Sequence, residues 1–133
     1  MFHVKRFTSK TQKSGLIGER IAEMFLVKHG YTIIERNSTK RCGEIDIISR
    51  KSGVLHFVEV KLLKNLVPRE TGPQNPFENI TFHKMEKMKR TVLSWLAENN
   101  VPRETKFQID GIAVSYNSET KMASVKLLEN INI

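Results

Sequence analysis

Two adjacent segments in the middle of the chain alternate hydrophobic and polar positions. Residues 43–48 (Gly-Glu-Ile-Asp-Ile-Ile) alternate isoleucines with acids, and residues 57–61 (Phe-Val-Glu-Val-Lys) alternate valines with charged side chains. A period of two along the chain predicts β-strands. The polar stretch 50–53 between them contains a glycine, so the sequence predicts a β-hairpin.

The length of the hairpin loop decides which side chains share a face. A loop of two or four residues pairs even-numbered positions of the first strand with odd-numbered positions of the second. Ile45 and Ile47 would then share one face. Asp46 and Glu59 would lie opposite or diagonal on one face, roughly 5–8 Å apart at Cβ, with Lys61 beside them. A three-residue loop would reverse the faces of the second strand.

Two carboxylates across a strand pair repel each other, and a divalent cation removes that repulsion. Mg²⁺ prefers carboxylate oxygens and commonly bridges to a substrate phosphate. A nearby lysine can neutralise charge on a reacting phosphate or hold the attacking water. The pattern therefore indicates a Mg²⁺-dependent phosphodiesterase site made of Asp46, Glu59 and Lys61. An ordinary exposed strand face, on which Glu59 and Lys61 pair with neighbours, explains the same spacing.

Helical spacing predicts two helices, at residues 14–29 and 82–99, each with an apolar stripe. Gly30 marks the end of the first helix. Glu19 and Glu23 share one face of that helix, either as solvated acids or with Glu19 as a further acid beside the catalytic face. The stripes consist of Leu16, Ile17, Ile21, Met24, Phe25 and Val27 in the first helix, and of Met85, Met88, Val92, Trp95 and Leu96 in the second.

The remaining pattern predicts strands at 31–36, 106–116 and 123–128. The order of elements favours a single α/β domain over 14–133, with a mixed central sheet flanked by helices on both faces. We expect residues 1–13 to be a basic, flexible arm and 62–81, with three prolines, to be a long loop near the active face. Asp110 lies inside an apolar strand, so it needs a partner, either structural or at the edge of the site.

The chain is strongly basic. It has 133 residues, with 22 Lys and Arg against 14 Asp and Glu, a net charge of +8 and a pI of about 9.8. Such a balance favours a polyanionic partner, and nucleic acid is the commonest one. Candidate phosphate contacts are Arg36, Lys40, Arg41, Lys84 and Lys87. A solvated basic surface is the alternative for the two helix lysines.

Cysteine usage and hydropathy bear on the compartment. The single Cys42 excludes an internal disulfide and suits a reducing cytosol. No apolar run approaches the roughly 18 residues that span a bilayer, and the basic N-terminal residues lack the apolar core of a secretory signal. We therefore expect a cytoplasmic protein without a membrane partner.

Several motifs together resemble the YraN-type family of small bacterial proteins, which are predicted to be endonuclease-like. They are Gly18-Glu19-Arg20-x-Ala22, Gly30-Tyr31 followed by Glu35-Arg36-Asn37, and the two alternating strands at 43–48 and 57–61. Lys84 and Asp110 also match the family pattern. The resemblance runs from about Gly15 to the last strand.

This resemblance implies a restriction-endonuclease-like fold of the PD-(D/E)xK superfamily, similar also to archaeal Holliday junction resolvases. By that resemblance, Asp46 and Glu59 bind Mg²⁺ or Mn²⁺, the backbone carbonyl of Val60 adds a ligand, and Lys61 assists the water or the transition state. Glu19 matches an acid that resolvases carry on their first helix.

The chain also departs from the family pattern. Leu62 and Leu63 stand where a small polar residue and an arginine commonly follow the lysine. Gln108 stands where an arginine often precedes the late aspartate by two positions.

Two functions of different kinds follow as expectations. The first is a metal-dependent nuclease that acts on DNA, with RNA left open as a substrate and with branched or flapped DNA suggested by the resolvase similarity. The alternative is a nucleic-acid-binding module that keeps the nuclease fold with little or no catalytic activity. A small assembly protein whose basic face meets an acidic protein is a third interpretation. Symmetric cutting of two strands would favour a homodimer.

Overall fold

A six-stranded mixed sheet with one helix on each face organises the chain. The structure, a computed structural model, describes residues 2–3, 14–64, 77, 80–117 and 119–131. The elements are β1 (Phe2–His3), α1 (Ser14–Lys28), β2 (Thr32–Lys40), β3 (Gly43–Lys51), β4 (Val54–Lys64), α2 (Phe82–Glu98), β5 (Phe107–Asn117) and β6 (Met122–Leu128). The strand order is β1-β6-β5-β4-β3-β2, and only β4 and β5 run parallel.

The predicted hairpin is formed by β3 and β4 with a loop of two residues. Lys51 pairs with Val54, and Ser52 and Gly53 between them have φ angles of 51° and 78°. Positive φ at both loop residues is typical of a type I′ turn, whose twist matches that of the flanking strands. The loop is therefore even, which is the condition that the sequence argument required.

The pairing of β3 with β4 ends at Ile47 and Val58, although both strands continue. From there residues 43–45 pair with β2, and residues 59–64 pair with β5. We call this open end of the hairpin the fork. Asp46 is the first residue of β3 beyond the last pair, and Glu59 is the first of β4.

Two hydrophobic clusters hold the helices against the sheet. On one face Ile17, Ile21 and Leu26 of α1 pack against Ile47 and Val58. On the other face the cluster includes Val92 and Trp95 of α2, with Ile45, Ile48, Leu55, Phe57 and Ile109 of the sheet. The predicted stripe of α2 thus faces the sheet. In α1, Ile17, Ile21 and Phe25 of the predicted stripe face it, whereas Leu16, Met24 and Val27 are exposed.

One detail of the predicted alternation is wrong. Ile45 belongs to the cluster under α2, whereas Ile47 belongs to the cluster under α1, so the two do not share a face. The strict period of two is lost at the intervening Asp46, where β3 leaves its ladder with β4.

Several element boundaries also differ from the prediction. The strand β2 continues to Lys40, beyond its predicted end at residue 36, so only a turn at 41–42 separates it from β3. An edge strand can carry polar side chains because its backbone pairs on one side while its side chains stay in water. β4 extends to Lys64, and Phe2–His3 pairs with β6 instead of belonging to an arm.

The rest of the expected arm (4–13) and most of the expected loop (65–76, 78 and 79) lie outside the described residues. In the part of the chain that the structure describes, neither helix is long and apolar enough to cross a membrane.

Candidate active site at the fork

Asp46 lies half-buried where the two strands part. The backbone N–H of Val60 donates to its Oδ2 at 2.8 Å, so the carboxylate takes a hydrogen bond that a ladder carbonyl would otherwise accept. Burial raises the pKa of Asp46, the Val60 N–H opposes that shift, and the charge of Glu44 adds to it. This contact fixes the carboxylate between β3 and β4.

Glu59 faces the same opening from β4. Burial, and then the nearby charge of Asp46, raises its pKa to about 7, while Lys84 and Lys61 oppose the shift. A carboxyl with such a pKa is only partly ionised at neutral pH unless a cation joins it. The charges of the two lysines therefore offset only part of the effect of burial and of Asp46 on Glu59.

Helix α1 brings a third acid to the fork. At Gly18 a Cβ atom would lie 3.2 Å from the Cβ of Leu62, so the glycine allows α1 to approach β4 closely. The next residue, Glu19, has a pKa raised by burial and by Asp46, and lowered by a hydrogen bond from Asn37. The structure thus brings Glu19 to Asp46, which the sequence left as one of two alternatives.

Helix α2 brings cationic charge from the other face. Thr81 caps its first turn by accepting from the N–H of Lys84 at 3.1 Å. The Lys84 ammonium lowers the pKa values of both Asp46 and Glu59. Among the predicted phosphate contacts, Lys84 is therefore one that lies near Asp46 and Glu59.

Glu44 is a member of this cluster that the sequence argument missed. Its negative charge raises the pKa of Glu19, Asp46 and Glu59. The signal was present in the Gly-Glu-Ile-Asp motif, where Glu44 precedes Asp46 by one strand repeat.

Lys61 is held beside a buried aromatic ring. Its Nζ lies 5.6 Å from the centroid of Phe77, which is 5% exposed. The ring lies directly over Gly111, where an added Cβ would come within 2.6 Å of it. Gly111 is the β5 partner of Glu59, so Phe77, Lys61 and Glu59 occupy one region of the sheet.

The other predicted phosphate contacts are scattered. Lys40 forms an ion pair with Glu98 in the last turn of α2, at the opposite end of that helix from Lys84. Arg41 is exposed in the turn after β2, and the side chain of Lys87 approaches Gly43. Arg36 pairs with Glu23 across the space between α1 and β2, with Nε donating to Oε2 at 2.8 Å. Lys40 is thus not brought to the acids.

A separate cluster surrounds Asp110. Oδ2 of this fully buried carboxyl lies 2.6 Å from Nδ1 of His56, and Oδ1 accepts from Gln108 at 2.8 Å and from the N–H of Asn130 at 3.0 Å. Gln108, which departs from the family pattern, therefore holds the aspartate. Of the two roles that the sequence left open for Asp110, these hydrogen bonds fit the structural one. His56 lies three residues, about 10 Å, along β4 from Glu59.

Among the described residues, three donors of His, Cys, Asp or Glu lie within 4.8 Å of one another only at His56, Asp110 and Glu129. The oxygens of Asp46, Glu59 and Glu19 are more widely spaced. The hydrogen bonds from Gln108 and Asn130 already satisfy Asp110, so the cluster needs no cation to be stable.

Comparison with known proteins gives the family. The model of the uncharacterised protein family UPF0102 matches residues 18–114, a range that contains Glu19, Asp46, Glu59, Lys61 and Lys84. The chain belongs to this family. The YraN-type resemblance is thereby confirmed, and the α/β domain with its mixed sheet is compatible with the restriction-endonuclease-like fold expected from it.

Three relatives match over nearly their whole length. A UPF0102 protein of Nitratiruptor sp. is 38% identical over 93% of this chain and 96% of its own. A relative in Campylobacter hominis is 39% identical over 93% of this chain and 97% of its own. A relative in Helicobacter pylori strain P12 is 37% identical over 92% of this chain and 94% of its own. Their names state the family and no activity, so function is argued from the site.

Proposed function

We propose that this UPF0102 protein is a Mg²⁺- or Mn²⁺-dependent nuclease that hydrolyses phosphodiester bonds in DNA. The observation that carries the proposal is the convergence of Asp46 and Glu59 at the fork, where burial raises the pKa of both and the charge of Asp46 adds to the shift of Glu59. Such an arrangement costs stability when both groups are ionised. Clustered titratable groups with strongly shifted pKa values are typical of functional sites.

The chemistry of the side chains fits a hard divalent cation. Oxygen donors are what Mg²⁺ and Mn²⁺ prefer, and no thiol or imidazole of the described residues takes part in the cluster. Asp46 and Glu59 would hold the ion, together with the Val60 carbonyl that the family resemblance suggests. The cation would supply a Lewis acid that polarises the scissile phosphate and activates water.

The chain's own groups would then have separate tasks. Glu59 has to lose its proton to act as a ligand, so at limiting metal concentration activity should rise as the pH passes about 7. Lys61 would stabilise the charge that accumulates on the phosphate during displacement, and Lys84 would hold the phosphate from the α2 side. Glu19 would extend the acidic cluster from α1.

A second candidate function has its own support. Asp46 is already held by the Val60 N–H, and the raised pKa of Glu59 allows that group to stay protonated, so the fork can be stable without a cation. The net charge of +8 still favours nucleic acid. The chain would then be a nucleic-acid-binding module with little or no catalytic activity.

A cleavage assay tests the proposal. Purified protein would be incubated with Mg²⁺ or Mn²⁺ and single-stranded, duplex, flapped or four-way-junction DNA. We expect cleavage that a chelator abolishes and that Glu59→Gln and Lys61→Ala each reduce at least about 100-fold. Glu129→Gln, which alters the other cluster, should cleave like the wild type.

The same assay separates the two functions. Wild-type rates in both the Glu59 and the Lys61 variants would refute the site. A folded protein that binds DNA in a salt-dependent manner, independently of Mg²⁺ and of Asp46→Asn, but cuts none of the substrates would support the binding module instead.

A further inference from the structure

A groove of about 990 Å³ begins at the fork and follows α1 on the side of the edge strand β2. Glu19 and Asp46 line the groove where it meets the fork, while Val27 and Lys28 line it farther along the helix. Eight residues of helix separate Glu19 from Val27, which corresponds to about 12 Å. The groove is thus continuous with the candidate site and extends well beyond it.

Exposed apolar side chains form one wall of the groove. Leu16, Met24 and Val27 are 40%, 37% and 56% exposed, and all three line it from α1. Residues three apart in a helix are neighbours, and eleven residues complete about three turns, so these side chains share a flank. Apolar surface left in water along a groove is typical of a binding site.

Cations alternate with this apolar surface. Arg20 and Lys28 line the groove from α1, and Arg36 lines it from β2, beside the acids Glu19, Glu23 and Asp46. The combination of positive charge with apolar surface fits a ligand that carries both phosphates and flat apolar faces.

We propose that this groove binds a single strand of nucleic acid whose neighbouring phosphate lies at the fork. The inference rests on the proposed function, since it extends the same site. A duplex presents phosphate and sugar to a protein and hides the faces of its bases in the stack, so the apolar wall would contribute little to duplex binding. The bases of a single strand are free to lie against Leu16, Met24 and Val27.

The ion pair between Glu23 and Arg36 weakens the binding of a strand in the groove. It joins α1 to β2 across the groove, with Nε of Arg36 donating to Glu23 at 2.8 Å, while the Arg36 side chain remains 61% exposed. A phosphate offers the guanidinium the same bidentate geometry as a carboxylate. Glu23 therefore competes with the strand for Arg36, and its removal should strengthen binding.

Strand affinity can be measured in chelator, where cleavage plays no part. Fluorescence anisotropy would follow a labelled oligo-dT and a matched duplex. We expect Glu23→Gln to tighten oligo-dT binding roughly three- to tenfold at low salt and Arg36→Ala to weaken it. The variant that carries both substitutions should bind no more tightly than Arg36→Ala alone. Arg36→Ala should also reduce the slope of log K against log salt by about 0.7.

Glu98→Gln is the matched control. Like Glu23→Gln, it removes one negative charge and breaks an ion pair between a helix and β2. The pair that it breaks joins Glu98 to Lys40 and lies outside the groove. Its affinity should stay within about twofold of the wild type. An equal gain in both glutamine variants, or an equal gain for duplex and single strand, would overturn the proposal.

The apolar wall is tested without a change of charge. Val27→Ser should weaken oligo-dT binding several-fold, whereas Leu93→Ser should not. Leu93 is 57% exposed, nearly the same as Val27, but lies on α2. Unchanged binding in Val27→Ser, together with dissociation of a homodimer, would assign the groove to a second copy of the chain and overturn the proposal.

The two proposals fail separately. Groove-dependent binding without cleavage of any substrate would refute the nuclease and leave the groove assignment standing. Cleavage that depends on Glu59, with the groove variants binding as the wild type does, would refute the groove and leave the nuclease.

Discussion

The carboxyl group of Glu59 binds its proton more tightly in the folded chain than in an unfolded one. Its pKa is about 7, against an ordinary 4.5, because of burial and the charge of Asp46. Between these two values the folded state holds more protons than the unfolded state, so the free energy of unfolding falls as the pH rises. The contribution of Glu59 to the free energy of unfolding is fully present below pH 4.5 and is lost as the pH rises through about 7.

Glu59→Gln should therefore stabilise the metal-free protein at high pH. We expect a gain on the order of 1 kcal/mol in the free energy of unfolding at pH 8, after allowance for solvent screening, and little gain at pH 4.5. Urea denaturation in chelator at both pH values measures it. An equal gain at both would show that the effect does not come from titration.

Asp110 should contribute more to stability than any acid at the fork. Asp110→Ala removes the acceptor shared by His56, Gln108 and the Asn130 N–H, and takes from the buried His56 ring its carboxylate partner. We expect a loss of about 3–5 kcal/mol in denaturant unfolding, as for breaking a buried pair. A loss under about 1 kcal/mol would contradict this role.

At the scale of elements, the fork depends on how β4, β5 and Phe77 fit together. A methyl group at residue 111 would come within 2.6 Å of the Phe77 ring. Gly111→Ala should therefore displace the ring from beside Lys61 and cost about 1–3 kcal/mol, the usual range for overpacking.

A double-mutant cycle checks this contact. In a Phe77→Ala background the same substitution at residue 111 should cost much less, because the ring is gone. Equal costs in the two backgrounds would mean that the strain lies in the backbone instead.

Local patterns predicted most of these elements. The strands around Asp46 and Glu59 follow from a period of two, and Ser52-Gly53 is a favoured two-residue turn. The end of pairing at Ile47 and Val58 was not predictable from local patterns. It depends on the pairing of β3 with β2 and of β4 with β5 beyond that point. The separation of Ile45 from Ile47 follows from that event.

The site was predictable where its members lie close in sequence. Asp46, Glu59 and Lys61 come from one hairpin, so turn length and alternation bring them together. Lys40 looked equally suitable by proximity, but its partner Glu98 is 58 residues away, and only the packing of α2 on the sheet reveals it.

At the scale of the whole molecule, the cationic surface should attract DNA unevenly. Lys84 lies at the acids, whereas Lys40 is paired with Glu98. We expect Lys84→Ala to reduce the slope of log K against log salt for DNA binding by about 0.9, and Lys40→Ala to change it little. Equal changes would indicate a uniform basic surface that does not focus on the fork.

The central claim is that the acids at the fork hold a divalent cation, and Mn²⁺ binding followed by electron paramagnetic resonance at pH 8 tests it most directly. The account predicts about one bound Mn²⁺ per chain, lost in Asp46→Asn and retained in Glu129→Gln, with affinity that falls as the pH drops below the Glu59 pKa of about 7. Mn²⁺ binding that survives Asp46→Asn but disappears in Glu129→Gln would place the metal at His56 and Asp110 and contradict the account.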